Sequence, residues 1–143
     1  LLAAAPQARE QWVLTPHPGE AARMLGTTTA RIQDDRMTAA ASLQSRYGGT
    51  VVLKGAGSIV QTARDGAWIC DRGNPGMATA GMGDVLTGMI AGIAAQCGDL
   101  ALAAQAGVYA HAVAGDRAAA AGGERGLLAS DVIAQLRVSV NPR

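Results

Sequence analysis

The sequence changes character once, at the turn-rich run Gly73-Asn74-Pro75-Gly76. Before it, short apolar and β-branched runs alternate with helix-length patterns; after it, Ala-rich stretches read as helix to the end. Strands that alternate with helices predict an α/β fold with a mainly parallel sheet. Aromatic residues make up only 3% of a chain that is 49% hydrophobic, and Phe is absent, so the core must be Ala, Val, Leu, Ile and Met packed at close range. A length of 143 residues suits one domain with a sizeable core. Only four strand-like runs are present, few for a closed domain, which leaves one sheet edge in need of a neighbour.

In chain order, Gln11 to Thr15 reads as a short buried strand stopped by Pro16 and Pro18. Pro18-Gly19-Glu20 opens a helix through Leu25 that Gly26 closes, and Thr29 to Tyr47 carries one longer helical pattern (Ile32, Arg36, Ala39, Ala40, Leu43) ended by Gly48-Gly49. Thr50 to Leu53 has the composition of a central strand. Ser58 to Thr62 and Ala67 to Cys70 flank Arg64-Asp65-Gly66 as a hairpin. Past the break, a helix from about Asp84 to Gln96, a helix or helix pair over Leu100 to Ala121, and a last helix from Ser130-Asp131 to about Val138 follow.

Composition excludes several functions. A net charge of +1 offers no basic stripe for nucleic acid or anionic lipid, and base stacking needs aromatics the chain lacks. The longest run free of Asp, Glu, Lys and Arg, Leu100 to Gly115, is sixteen residues, short of the roughly 20 needed to cross a bilayer. With no signal-like segment, and with Cys70 and Cys97 far apart in unrelated contexts, the expectation is a cytoplasmic protein with two free thiols. The chain begins at Leu1 rather than a methionine, which reads as a piece of something longer.

The segment richest in chemistry is Asn74-Pro75-Gly76-Met77-Ala78-Thr79-Ala80-Gly81-Met82-Gly83-Asp84. Glycines let backbone N–H groups turn inward, and the helix that follows adds its positive end, so the segment suits phosphate. Asp84 there would repel an anion unless it takes a proton from a hydroxyl attacking phosphorus; an aspartate at a helix start is also often a cap. Thr15-Pro16-His17-Pro18-Gly19-Glu20 lies just past a strand, where open α/β sheets place ligands. His17 there can donate or accept a hydrogen bond, and Glu20 can reach a metal-bound water or simply partner the helix dipole. Lys54, one lysine among twelve basic residues, follows Val51-Val52-Leu53 and precedes Gly55-Ala56-Gly57-Ser58, a placement that suits a phosphate or a nucleotide, or a side chain snorkelling from a sheet edge. His111 reads as a packed or surface histidine rather than a ligand, and Met77, Met82 and Met89 as packing, although Met77 and Met82 can also line a flat ligand.

Taken together, Thr15 to Glu20, Val52-Leu53-Lys54-Gly55-Ala56-Gly57-Ser58 and Asn74 to Gly88 closely resemble the ADP/ATP-dependent NAD(P)H-hydrate dehydratases, carbohydrate-kinase-like repair enzymes of the ribokinase-like superfamily. The resemblance implies a three-layer α/β sandwich of which residues 1–143 form the C-terminal half of the domain. It also implies ADP- or ATP-dependent dehydration of the S-epimer of hydrated NAD(P)H with magnesium, and homo-oligomeric assembly. Carried across by residue, it makes Asp84 the base and a substrate contact, and His17 a second substrate contact. Gly81, Met82 and Gly83 become a backbone anion hole, with Gly83 also at the adenylate. Lys54, Gly55, Ala56, Gly57 and Ser58 become the nucleotide site, and Glu20 an indirect magnesium partner. Competing readings are a kinase of the same fold acting on a small alcohol or vitamin precursor, and a non-catalytic nucleotide-binding module.

Overall fold

The computed structural model describes Leu2 and residues 4–141. They fall into two compact units, Leu1–Ile69 and Cys70–Arg143, whose boundary lies just ahead of the break seen in the sequence. Leu1 lies outside the described residues.

The first unit holds the whole sheet. Strands β1 (Val13–Leu14), β2 (Thr50–Leu53), β3 (Ile59–Thr62) and β4 (Gly66–Ile69) lie side by side in chain order. β1 pairs with β2 in parallel, Val13 opposite Thr50, and helices α1 (Pro18–Leu25), α2 (Thr29–Asp34) and α3 (Arg36–Tyr47) supply the crossover that a parallel pair requires. The other two pairings are antiparallel, because a short glycine-containing loop and a tight turn join β2, β3 and β4. The parallel character expected of the sheet is thus carried here by a single pairing, and the sheet is mixed. β1 is also only two half-buried residues long, shorter than the run Gln11 to Thr15 suggests, since Pro16 cannot continue the ladder. β2, flanked on both sides, is buried at every position.

The stretch Thr29 to Tyr47 is two helices rather than one. Asp35 breaks it: its backbone is non-helical (φ −144°, ψ 82°) and its Oδ1 accepts the Thr38 N–H at 3.0 Å, capping α3. Both helices still bury the expected stripe, because Ile32, Ala39, Ala40 and Leu43 join Val51, Leu53 and Ile59 in one core cluster. Tyr47 closes that core without stranding its hydroxyl, which donates to the Met24 carbonyl at 2.8 Å. Leu43 is fully buried in a core that holds few large side chains, so Leu43→Ala is expected to cost about 2–5 kcal/mol of unfolding free energy, read from denaturant melts of the complete protein.

The second unit is helical among its described residues: α4 (Met82–Cys97), α5 (Leu100–Gly122) and α6 (Ala129–Val140), entered through a single 3₁₀ turn at Pro75–Met77. α5 is one continuous helix of 23 residues, not a pair. Met82, Ala114, Ala118, Leu127 and Val132 form its core, with Met77 packed on the edge. Cys70 and Cys97 are free thiols, the first buried and the second exposed. No helix among the described residues is long and apolar enough to cross a membrane.

Candidate active site

The residues singled out in the sequence divide between the two units. In the first, Pro16 ends β1 and the chain turns into α1, with His17 as its N-cap. The imidazole Nδ1 accepts the N–H groups of Gly19 at 3.0 Å and Glu20 at 3.2 Å, so Nδ1 carries no proton and the ring proton of the neutral form sits on Nε2. Glu20, three residues on, completes a capping box by accepting the His17 N–H at 2.7 Å. The side chain that the sequence offered as a ligand contact is thus held by its own helix through Nδ1, with half of the side chain exposed.

Lys54 sits at the end of β2, its N–H donating to Pro16 O at 2.9 Å, so the β2 terminus and the His17 turn lie against each other. Its ammonium is 3.7 Å from Glu20 Oε2, while Glu20 Oε1 is 3.6 Å from His17 Nε2. Because β2 is an interior strand, Lys54 does not snorkel from a sheet edge; it makes a His17–Glu20–Lys54 cluster at the strand end. Partial burial acts to raise the Glu20 carboxyl, but the His17 backbone N–H and then the charges of Lys54, His17 and Arg23 outweigh it and hold it below the usual glutamate value. A carboxyl lowered on folding stabilises the protein above its unfolded-state value and stops doing so as pH falls through the folded one. Replacing Glu20 by Gln is therefore expected to flatten the loss of stability below about pH 4.5, measured as Tm against pH, the effect being modest because the carboxylate is 42% exposed.

Beyond Lys54 the chain passes through Gly55 (φ 146°) and Gly57 (φ 66°), backbone that only glycine adopts without strain, and Ser58 Oγ donates to Gly55 O at 3.1 Å. What shapes this loop is a residue the sequence reading had placed merely in a helix stripe. Arg36, at the start of α3, donates Nη2 to Leu53 O at 3.2 Å and to Lys54 O at 3.4 Å, and Nη1 to Ala56 O. Even a Cβ on Gly55 would come within 2.9 Å of Nη2. The available signal was a guanidinium on the core-facing side of an otherwise apolar helix pattern, where an unpaired charge is costly.

In the second unit, Asn74 caps the 3₁₀ turn by accepting the Gly76 N–H, and the segment runs on to Gly81, the N-cap of α4, in the left-handed conformation (φ 85°). No side chain caps α4, and Met82 and Gly83 stand in its first turn, where backbone N–H groups have no intrahelical acceptor. Asp84 is therefore not the cap; it is the third helical residue. Two other helices carry an acid at this position, and in both it turns back to the cap N–H, Glu20 to His17 at 2.7 Å and Asp131 to Leu128 at 2.9 Å. Asp84 does not: it is exposed, and its carboxylate has no hydrogen bond or ion pair among the described residues of its unit. The helix start thus combines open amides, which attract an anion, with an uncommitted carboxylate, which accepts a proton.

Met82 is buried in the core and Met77 lies against Gly115, so both pack rather than line a ligand surface. His111 is buried on α5, its Nε2 without a hydrogen bond among the described residues; desolvation pushes its pKa down, with the Met82 backbone opposing. Asp116, which the sequence reading passed over, accepts the Gly73 N–H at 3.0 Å and Asn74 Nδ2 at 2.9 Å. Its signal was slight: with Arg117 it is one of two charged residues in α5.

The family model for NAD(P)H-hydrate dehydratase of the carbohydrate-kinase type matches residues 1–137. The chain is 55% identical over 142 residues to the bifunctional NAD(P)H-hydrate repair enzyme Nnr of Coxiella burnetii, covering 99% of this chain and 29% of that protein. It is 45% identical over 121 residues to the ADP-dependent (S)-NAD(P)H-hydrate dehydratase of Neisseria meningitidis, 84% of this chain and 41% of that one. Among solved structures, the ADP/ATP-dependent NAD(P)H-hydrate dehydratase of Bacillus subtilis, co-crystallised with ATP and Mg²⁺, superposes with a TM-score of 0.85 at 29% identity, over 94% of this chain and 51% of that one. A ribokinase-like superfamily protein of Enterococcus faecalis gives 0.79 at 27% identity, over 99% of this chain and 50% of that one. The chain thus spans under a third of the bifunctional relative and about half of each of these solved structures, and it belongs to the NAD(P)H-hydrate dehydratase family, with the ribokinase-like fold.

Proposed function

We propose that these residues are the C-terminal half of a dehydratase domain that returns the S-epimer of hydrated NAD(P)H to NAD(P)H at the expense of ADP or ATP. The observation that supports this most directly is the start of α4, where an uncapped helix end stands next to a carboxylate that, unlike Glu20 and Asp131, is committed to no backbone N–H. In this reading the amides of Gly81, Met82 and Gly83 hold the transferring phosphoryl group, and Asp84 takes the proton of the ring hydroxyl as its oxygen attacks phosphorus. The nucleotide loses one phosphoryl group, ADP becoming AMP. The ring nitrogen lone pair then expels the phosphate to leave an iminium, and loss of a proton from the neighbouring ring carbon to water re-forms the ring double bond, so NAD(P)H and inorganic phosphate are released.

Lys54, Gly55, Ala56, Gly57 and Ser58 fit the nucleotide, because the Arg36 clamp fixes a glycine loop with a cation at its entrance. His17 fits the hydrated cofactor through Nε2, the ring nitrogen that takes no part in the helix cap. No group of three or more metal-ligating side chains occurs among the described residues, and Glu20 is already engaged by His17 and Lys54. Glu20 therefore fits as the partner of a water on magnesium that arrives with the phosphates, the usual way that ion is held. When bound, magnesium would neutralise charge on those phosphates. The same reading carries a cytoplasmic location and a homo-oligomeric assembly.

Mixing the complete protein with hydrated NADH, ADP and magnesium tests the proposal, because recovery of dihydronicotinamide absorbance with release of phosphate is the expected result. Phosphorylation of an alcohol without that recovery would instead identify a kinase, and ADP binding without any turnover a nucleotide-binding module.

A further inference from the structure

Both ends of the Gly73–Met82 segment are tied to the same helix. At its entry Asp116 of α5 uses both carboxylate oxygens, Oδ2 for the Gly73 N–H at 3.0 Å and Oδ1 for Asn74 Nδ2 at 2.9 Å. The Asn74 side chain passes this restraint on, since its Oδ1 accepts the Gly76 N–H at 3.1 Å. At its exit Met82 shares a core cluster with Ala114 and Ala118 of the same helix. Between them Gly115 leaves room for Met77: a Cβ there would lie 2.3 Å from the Met77 Sδ. The segment is pressed in from the other side as well, because a Cβ on Gly76 would lie 2.5 Å from the Glu124 carbonyl oxygen.

We propose that Asp116 is a positioning residue for phosphoryl transfer, anchoring the segment to α5 so that the Gly81–Gly83 amides and Asp84 stand in a fixed place. The proposal rests on the function proposed above. Its physical basis is that a glycine-rich loop has little rigidity of its own, whereas a 23-residue helix does. Charge-assisted bonds are the stronger kind, and an ionised carboxylate is acceptor-only, which matches the two donors it meets. A displacement of about 1 Å at a reacting group can cost about 10²-fold in rate.

The test uses three variants of the complete protein: Asp116→Ala, Asp116→Asn, and Asp116→Asn combined with Asn74→Asp. In the single Asn variant an amide NH₂ faces the Asn74 NH₂, and that bond is lost while the Gly73 bond survives. In the exchanged pair, Asn at 116 donates to Asp at 74, which still accepts the Gly76 N–H, so every bond is restored with the charge moved from position 116 to position 74. The expected result is a kcat at least ~10-fold lower in Asp116→Ala, with ADP-binding stoichiometry by calorimetry unchanged, and a substantial recovery of kcat in the exchanged pair relative to Asp116→Asn. Faster amide exchange at Gly73 and Gly76 in Asp116→Ala, slowed again in the exchanged pair, should accompany it. An unchanged kcat in Asp116→Ala, a fall in kcat matched by an equal fall in ADP-binding sites, or an exchanged pair no better than Asp116→Asn would each overturn the role. If the unsubstituted protein performs no dehydration, the function itself is overturned and this role with it. If it does, and Asp116→Ala keeps pace, only the positioning role fails.

Discussion

Replacing Asp84 by Asn in the complete protein is expected to lower kcat for hydrated NADH by about 10²–10⁴-fold, the usual contribution of a positioned base. ADP affinity measured by calorimetry should stay within a few-fold of the parent. The substitution is nearly isosteric, so it removes the proton acceptor and one negative charge while leaving the α4 backbone in place. Its effect on stability should be small, since an acid in the first turn of a helix contributes only about 0.3–1 kcal/mol through the dipole and Asp84 makes no side-chain bond to lose among the described residues of its unit. Asp131→Asn supplies the internal control. Asp131 stands at the same position of α6 but accepts the Leu128 N–H at 2.9 Å; the substituted amide oxygen keeps that bond without its charge assistance, so Asp131→Asn should lower Tm and leave kcat unchanged. An Asp84→Asn protein that loses ADP binding or unfolds as readily as Asp131→Asn would make Asp84 a structural residue and remove it from the chemistry.

That contrast also shows what a sequence can and cannot say about this site. Glu20, Asp84 and Asp131 are all acids at the third position of a helix; nothing local in the letters separates them, and only the geometry shows which two are bound by their own caps. The periodic information was easier to read. The β2 run, the hairpin and the helix stops at Gly26 and Gly48 follow from β-branched composition and from glycines with positive φ. The break at Asp35 was missed because the apolar stripe continues through it, with Ile32 and Ala39 on either side, while the cap bond to Thr38 competes only locally. Arg36 and Asp116 were missed for a related reason. Each acts on backbone far away in sequence, Arg36 on the carbonyls of 53, 54 and 56 and Asp116 on the amide of 73, and a carbonyl or an amide has no letter of its own.

The scarcity of aromatics returns as a stability prediction at Gly107. Where large rings are absent, helices must approach until small residues touch, and Gly107 of α5 faces Ile90 of α4. A Cβ at 107 would lie 2.7 Å from Ile90 Cγ1, which a rotamer change can relieve. It would also lie 3.2 Å from Ile90 Cα and 3.3 Å from Ile90 N, which only a shift of the helix can relieve. Gly107→Ala brings the better helix former, worth about 1 kcal/mol in a helix interior, yet it is expected to destabilise by about 1–3 kcal/mol because overpacking outweighs propensity. Pairing it with Ile90→Ala separates the two contacts. Ile90→Ala alone should cost about 2–5 kcal/mol as a cavity, and in the double variant the added methyl should recover part of that loss, giving a favourable coupling energy in a denaturation cycle. Since α4 carries Asp84 as its third residue, any shift forced at Ile90 also moves the carboxylate. The single Gly107→Ala variant should therefore lose kcat even at temperatures where it remains folded, and the double variant should regain some of it. A Gly107→Ala protein as stable as the parent, with full activity, would show that α4 and α5 are not held together at this point.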